Sequence, residues 1–226
     1  FAATGKVYSI GQCFRYERAS LGRKREHFQW NVDIVGEEGV IAEAYLIQTA
    51  VMAMKKLGFE KGEFKVRVNN RQLVSDFLNS LKIEGEQVLS VMGVMDKKEK
   101  ISPEAFDEML AEVGLKPQQI QKINQFMTAK SLPEIQKFVR EDVVGFQDLK
   151  KFWAYCQALD LTDFVVIDTA IVRGLAYYTG IVFECFDTAG KFRAIFGGGR
   201  YDHLFERLTG KPCQAVGLGF GDEPGY

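Results

Sequence analysis

Apolar and polar positions alternate over two stretches near the start of the chain, residues 7–14 and 27–35. Both stretches are rich in β-branched and aromatic residues, and a period of two with this composition is typical of β-strands. The segment between them, residues 15–26, holds one glycine and five cationic side chains. It is too long for a tight turn and too charged for a core. We therefore predict two antiparallel strands joined by a basic loop.

The pattern then shifts between helical and strand periods. Apolar residues recur at helical spacing over residues 41–56, and Gly58 marks the predicted end of that helix. Further strands are predicted over residues 64–69, 164–168, 181–187, 192–196 and 215–220, and further short helices over residues 72–81 and 201–208. Hairpin-scale connections favour a mainly antiparallel sheet, since parallel neighbours need long crossovers. The predicted fold class is α+β, with helices flanking the sheet.

The middle of the chain has a different character. Lys, Glu and Gln are frequent there, prolines stand at positions 103, 117 and 133, and apolar residues recur at helical intervals. We predict a helical insertion domain over residues 85–160, between a first core part (1–84) and a second core part (161–226). The charged run 96–100 is interpreted as a solvated face.

Charge and cysteine usage narrow the classes of protein. The 29 Lys and Arg nearly cancel the 30 Asp and Glu, so the whole chain lacks the basic excess of a nucleic-acid-binding domain and any RNA contact should be local. Four cysteines and two histidines show no metal-ligand spacing, which disfavours a zinc site. No apolar run reaches membrane-spanning length and no signal-peptide pattern opens the chain. We expect a soluble protein without membrane partners, cytoplasmic, with an organelle as the alternative.

The predicted basic loop and the strand after it form a first candidate site. Guanidinium groups suit phosphate and carboxylate oxygens, because they offer planar bidentate donors and keep their charge. In the second strand His27, Gln29 and Asp33 share one face by the period of two. Taken alone, the pattern favours an exposed hairpin with a solvated charged tip. The candidate residues are Arg15, Glu17, Arg23, Arg25, His27, Phe28, Gln29 and Asp33.

Two glycine-containing strings form the other candidates. Arg173-Gly174-Leu175-Ala176-Tyr177-Tyr178 lies between two predicted strands, where an arginine between glycines can be turn chemistry and paired tyrosines usually pack. Gly197-Gly198-Gly199-Arg200-Tyr201-Asp202 would let a ligand approach the backbone closely, and the helix start after it could help to hold an anion. Glycine triplets are also common in flexible hairpin ends.

These strings together resemble a known family. Residues 14–18 (Phe-Arg-Tyr-Glu-Arg) resemble motif 2 of the class II aminoacyl-tRNA synthetases, and the two glycine-containing strings resemble the signatures of histidyl-tRNA synthetases. Residues 215–221 resemble the start of motif 3. The helical stretch stands where that family carries an insertion domain over the tRNA acceptor arm. The resemblance spans nearly the whole chain.

The resemblance implies an ATP-dependent ligase that activates L-histidine as histidyl-adenylate and transfers it to tRNA(His), with Mg²⁺ accompanying ATP. Arg15 would hold the histidine carboxylate and the α-phosphate. Arg173 would stabilise the charge that develops on the opposite side of that phosphate. Arg23 and Arg25 would meet the outer phosphates, and Glu17 the adenine amino group.

The resemblance also assigns the pocket for each substrate. An aromatic ring stacks on adenine at the position of His27, with Phe28 as the rival in a shifted register. Gln29 would contact the α-amino end of histidine, and Asp33 and Tyr178 would bond the two imidazole nitrogens. The remaining residues assigned to the histidine and adenosine pockets are Tyr177, Gly197, Gly198 and Gly199.

Some family features are missing or altered. Ala176 stands where many members have aspartate, and residues 221–226 offer no motif 3 arginine. Motif 1, which builds the family's dimer interface, and the anticodon-binding domain should lie outside the chain, so a homodimer is expected for the full-length parent. The alternatives are a non-catalytic synthetase-like regulatory paralogue that binds histidine or tRNA, and an unrelated nucleotide-binding protein. The retained Arg15, Arg173, Tyr177 and Tyr178 favour the ligase, and a P-loop motif is absent from the sequence.

Overall fold

The computed structural model describes residues 4–16, 24–173, 177–190 and 194–222, which form a seven-stranded mixed sheet flanked by helices. The strand order is β1-β2-β7-β6-β5-β3-β4. The strands are β1 (Gly5–Phe14), β2 (Glu26–Val35), β3 (Phe64–Asn70), β4 (Val165–Ile167), β5 (Ile181–Asp187), β6 (Phe196–Arg200) and β7 (Ala215–Gly221).

The sheet is antiparallel at every junction except the one between β3 and β4, which pair in parallel. This confirms the predicted mainly antiparallel α+β fold. It also explains where the helical stretch stands in the chain. Two parallel neighbours cannot be joined by a tight turn, and the chain between β3 and β4 supplies the long crossover as helices.

The predicted strand over residues 192–196 is wrong in its bounds, and residues 192 and 193 lie outside the described part. The strand is β6, which begins at Phe196 and contains all three glycines. Glycine adds nothing to an alternation of apolar and polar side chains, so the predicted strand ended at residue 196, where β6 begins. The neighbours explain the residue type: a Cβ on Gly198 would lie 2.1 Å from the Gly217 carbonyl oxygen on β7. Here glycine lets two central strands approach closely.

Helices cover the sheet and make up the middle of the chain. The predicted helices over residues 41–56 and 72–81 are present, and the helix predicted at 201–208 begins three residues later. Between β3 and β4 the chain is helical, with a short 3-10 turn at Lys98–Lys100. The helices are α1 (Ile41–Lys56), α2 (Arg71–Ser80), α3 (Glu86–Met95), α4 (Pro103–Glu112), α5 (Pro117–Phe126), α6 (Leu132–Ile135), α7 (Val144–Ala158) and α8 (Leu204–Thr209).

One continuous apolar core joins the helices to the sheet. Helix α7 contacts α1, α2 and β3, and its Gly145 permits close approach, because a Cβ there would lie 2.2 Å from the Leu73 backbone nitrogen. The last helix before β4 thus packs on the same layer as α1 and α2. The division at residues 84/85 and 160/161 stays a prediction.

A buried ion pair connects α1 to the end of β6. Arg200 donates to both carboxylate oxygens of Glu43, at 2.6 and 2.8 Å, and to the carbonyl oxygens of Glu37 and Gly39. Burial raises the pKa of Glu43, an effect that the Arg200 contacts oppose. Burial also lowers the pKa of Arg200, but its bonds to Glu43 more than offset this and leave it raised. We infer that both groups are charged and that Arg200, from the glycine string, is a structural residue.

Candidate functional site

A cavity of about 790 Å³ lies on one face of the sheet, lined by residues of β2, β5, β6, β7 and α8 and by the segments next to the undescribed ranges 17–23 and 174–176. Eight of the residues predicted from the sequence line it, although they come from both ends of the chain. They are Arg15, His27, Gln29, Asp33, Arg173, Tyr177, Tyr178 and Gly197.

Strand β2 supplies a polar row along the floor of the cavity. His27, Gln29 and Asp33 all line it, which confirms the predicted shared face. Asn31 belongs to the same row and was missed, although the period of two marks it equally. Its side-chain oxygen accepts a 2.6 Å hydrogen bond from Gln29 Nε2. The row therefore presents a ring, two amides and a carboxylate to one space.

Asp33 has a partner that the sequence analysis did not assign. Tyr201, directly after β6, donates its hydroxyl hydrogen bond to Asp33 Oδ1. Burial, followed by Asp33, raises the pKa of Tyr201, so the phenol keeps its proton and remains a donor. The facing residue on β7 is Gly217, where a Cβ would lie 2.0 Å from Asp33 Oδ1. The only earlier signal was that Tyr201 follows the glycine string.

Removing the Tyr201 hydroxyl should lower the affinity of a ligand that contacts Asp33. Tyr201→Phe keeps the ring and leaves Asp33 free to rotate, so we expect ligand affinity at this carboxylate to fall by about 1 kcal/mol, roughly fivefold. Calorimetric titration of histidine with the wild-type and variant chains measures this. Tyr155→Phe on α7, outside the cavity lining, is the matched control. Equal affinities for wild type and Tyr201→Phe would contradict the assignment.

Arg15 Nη2 and His27 Nε2 form a hydrogen bond where the predicted basic loop joins β1 and β2. A guanidinium can only donate, so His27 Nε2 is the acceptor in this hydrogen bond. His27 is 6% exposed and lines the cavity, whereas Phe28 is 53% exposed and does not. Of the two rings considered for adenine stacking, the structure thus brings His27 to the cavity. The stacking role itself stays a prediction.

Arg173 lies after β4 with a positive φ of 58° and reaches into the cavity. Its Nη1 forms an ion pair with Glu184 on β5, and its guanidinium carbon lies 5.9 Å from the centre of the Tyr178 ring. Burial lowers the pKa of Arg173, but Glu184 and Tyr178 more than compensate and leave it raised. Its Nε is buried with no hydrogen-bond partner among the described residues. Arg173 therefore contributes a positive charge to the cavity lining.

The tyrosine pair borders the same space. Tyr178 is buried, and its ring covers the face of Gly199, where a Cβ would lie 2.8 Å from it. Tyr177 is partly exposed, with its ring centre 4.8 Å from that of Tyr178. Burial, with Tyr178 next, raises the pKa of Tyr177 to about 12. The Tyr177 phenol is therefore protonated near neutral pH and can donate a hydrogen bond.

The other predicted site residues are not brought together in this lining. Arg25, Phe28, Gly198 and Gly199 are described but lie outside it, and their assigned contacts stay predictions. Glu17 and Arg23 lie outside the described residues, as do Gly174, Leu175 and Ala176. Glu184 lines the cavity but was not singled out from the sequence.

Within the described ranges, no group of three or more His, Cys, Asp or Glu side chains could hold a metal ion. None of the described helices combines the length and apolar character that a membrane span needs.

Comparison with known proteins agrees with this geometry. The family model described as histidyl-tRNA synthetase matches residues 2–221. The chain belongs to the histidyl-tRNA synthetase family. This confirms the resemblance that the three strings indicated.

Relatives of the family cover nearly all of this chain. A chloroplastic/mitochondrial histidine–tRNA ligase of Arabidopsis thaliana is 38% identical over 217 residues, 96% of this chain and 45% of its own length. A histidine–tRNA ligase of Opitutus terrae is 35% identical over 223 residues, 96% of this chain and 51% of its own length. The chain therefore spans about half the length of the curated relatives it matches.

Solved structures show the same fold. The crystal structure of histidyl-tRNA synthetase from Nostoc sp. PCC 7120 matches with a TM-score of 0.83 at 27% identity, covering 96% of this chain and 52% of that one. A Bacillus halodurans structure, described as an ATP phosphoribosyltransferase regulatory subunit/histidyl-tRNA synthetase, has the same TM-score at 19% identity. At that identity the second match supports the fold only.

Proposed function

We propose that this chain is the catalytic core of a histidine–tRNA ligase, which activates L-histidine with ATP and transfers it to tRNA(His). The observation that carries the proposal is the juxtaposition of two chemistries in one cavity. Arg15 and Arg173 bring fixed positive charge, whereas Asp33 and Tyr178 bring an acceptor and a donor. A ligand with anionic oxygens and an imidazole ring satisfies both.

The activation of histidine would require these residues to stabilise negative charge. An oxygen of the histidine carboxylate attacks the α-phosphorus of ATP, the bond to the bridging oxygen breaks, and pyrophosphate leaves. Negative charge grows on the α-phosphate oxygens at that moment. Arg15 and Arg173 would stabilise it by position and charge. Lysine should replace neither well, because it lacks the planar bidentate donors.

Histidine selection would rest on the opposite part of the cavity. Asp33, held by Tyr201, would accept from an imidazole N–H, and the Tyr178 hydroxyl would donate to the other ring nitrogen. Gln29 would contact the α-amino end. An amino acid without ring nitrogens would leave these buried polar groups unpaired, which costs far more than a lost apolar contact.

Mg²⁺ is expected with ATP, and the residues present are compatible with it. This ion keeps several water ligands and usually takes one or two carboxylates besides substrate phosphates. Asp33 and Glu184 are the two carboxylates in the described cavity lining. Phosphate oxygens and water would supply most of its ligands, and the ion would offset phosphate charge.

The longer protein is expected to be a homodimer in the cytoplasm, with an organelle as the alternative. A non-catalytic paralogue that binds histidine or tRNA is the second candidate for the chain. The presence of both Arg15 and Arg173 in the cavity favours the ligase, because binding histidine alone needs no pair of guanidinium groups around a transferring phosphoryl group.

Calorimetric titration of histidine, with other amino acids as controls, should be followed by histidine-dependent ATP–pyrophosphate exchange. Both are measured with the 226-residue chain and with a longer form of the protein. We expect histidine-selective binding and exchange. Selective binding without exchange in the longer form would favour the regulatory paralogue, and absence of histidine binding in both forms would refute the proposal.

A further inference from the structure

The segment 173–180 carries Arg173, Tyr177 and Tyr178, and one residue outside the cavity holds both of its ends. Arg71, the first residue of α2, donates from Nη1 to the Arg173 carbonyl oxygen at 3.0 Å. Its backbone nitrogen donates to the Gly180 carbonyl oxygen at 2.8 Å. A single residue at the start of α2 thus contacts both Arg173 and the residue directly before β5.

The identity of residue 71 is not explained by its own helix. Asn70 already caps α2, its side-chain oxygen accepting from the backbone nitrogens of Gln72 and Leu73. Arg71 is only 8% exposed. Burying a guanidinium is costly: burial lowers the pKa of Arg71, and the charge of Asp96 opposes this effect only in part. The hydrogen bond to the Arg173 carbonyl oxygen explains why an arginine is nevertheless buried at this position.

The Arg173 backbone needs such a contact. Its φ of 58° is a left-handed conformation that costs a residue with a Cβ about 1–2 kcal/mol. Such a conformation persists only where surrounding structure holds it. The upstream side is fixed by Asn69, whose side-chain nitrogen donates to the carbonyl oxygens of Thr169 and Ile171 at 3.1 and 3.0 Å. Asn69 and Arg71 are neighbours at the junction of β3 and α2.

The conformation decides where the Arg173 side chain goes. In the structure its guanidinium lies along β6, where a Cβ on Gly197 would be 2.8 Å from Nη1, and it reaches Glu184 on β5. If the backbone relaxed to a negative φ, the side chain would leave the segment in another direction and the cation would leave its place in the cavity.

We infer that Arg71 is a positioning residue for Arg173: through the Arg173 carbonyl it holds the left-handed backbone that aims the guanidinium across Gly197 into the cavity. The consequence for catalysis rests on the proposed function. Arg71 touches neither substrate, so its removal should lower the rate of the chemical step and leave histidine affinity nearly unchanged.

The test compares Arg71→Met, which fills similar volume without a donor, with Arg71→Lys, which keeps a donor for the same carbonyl. In ATP–pyrophosphate exchange we expect Arg71→Met to lower kcat by about 10–100-fold, the scale of a misplaced catalytic group. Its KM for histidine should stay within about threefold of wild type. The kcat of Arg71→Lys should lie between those of the wild type and Arg71→Met. Val74→Ala, at another buried position of the same helix, controls for lost stability.

Crystal structures of Arg71→Met and Arg71→Lys give a readout that does not depend on activity. We expect Arg173 to leave the left-handed region in the methionine variant and its guanidinium to leave Glu184. Unchanged Arg173 geometry in that variant, or a kcat within about threefold of wild type, would overturn the inference. If the methionine variant does not fold, Arg71→Leu, which also lacks a donor for the Arg173 carbonyl oxygen, decides by the same two criteria. Wild-type protein without exchange would count against the proposed function alone, since the structures still decide the role of Arg71.

Discussion

Replacing Arg173 with alanine is expected to lower histidine-dependent ATP–pyrophosphate exchange by about 10²–10³-fold, the loss typical of removing one preorganised donor for transition-state charge. Arg173 is a partly buried cation that lines the cavity, and its Nε has no hydrogen-bond partner among the described residues. Its charge matters most when the phosphorus is attacked, because the charge on the α-phosphate oxygens grows then. The histidine affinity measured by calorimetry should change by less than about threefold, because Arg173 is expected to stabilise the transition state and not the bound histidine.

Two further variants sharpen this result. Arg173→Lys keeps a charge but loses the planar fork, so it should recover little of the rate. Arg140→Ala is the control, because Arg140 is exposed and its ion pair is with Asp142. Exchange by Arg173→Ala within about threefold of wild type, with Arg140→Ala unaffected, would show that Arg173 does not stabilise the developing charge.

The second large effect concerns stability. Glu43→Ala should lower the free energy of unfolding by about 3–5 kcal/mol, the cost of leaving one member of a buried ion pair without its partner. Glu43 is 0% exposed and receives two hydrogen bonds from Arg200. Its removal would leave the Arg200 guanidinium buried with the carbonyl oxygens of Glu37 and Gly39 and a rim contact to Asp202. Denaturant unfolding followed by circular dichroism measures the loss.

A paired replacement separates charge from lost volume. Glu43→Met combined with Arg200→Met removes both charges and should be more stable than Glu43→Ala, because no uncompensated charge remains buried. Glu38→Ala, at an exposed carboxylate near the start of the same helix, should change stability by less than about 0.5 kcal/mol. If Glu43→Ala is no less stable than Glu38→Ala, the pair does not hold α1 to β6.

Arg200 also shows how neighbouring residues in one string can take different parts. The sequence string suggested glycines that let a ligand approach the backbone closely, with the helix start after them helping to hold an anion. In the structure the arginine is turned away to Glu43, Gly198 packs against Gly217 and Phe183, and Tyr201 supports Asp33. Only Gly197 and Tyr201 of the string line the cavity. The cavity therefore receives its positive charge from Arg15, Lys24 and Arg173 instead.

Local patterning by itself determined β1, β2, α1 and the shared face of His27, Gln29 and Asp33, because strand and helix periods place side chains without reference to the rest of the chain. Motif strings determined the family. The bounds of β6 could not be predicted from the sequence, because three glycines show no alternation of apolar and polar side chains. They form a strand only through pairing with β5 and β7.

Partners distant in sequence were decided by tertiary structure alone. Tyr201 reaches Asp33 across 168 positions, and Arg71 reaches Arg173 across 102. Such contacts depend on strand order and on which backbone carbonyl is left to be satisfied, and neither quantity is written in any local stretch of sequence. The sequence determined the chemistry available to the cavity. The fold decided which guanidinium faces it, which one is buried against a carboxylate, and which one holds another in place.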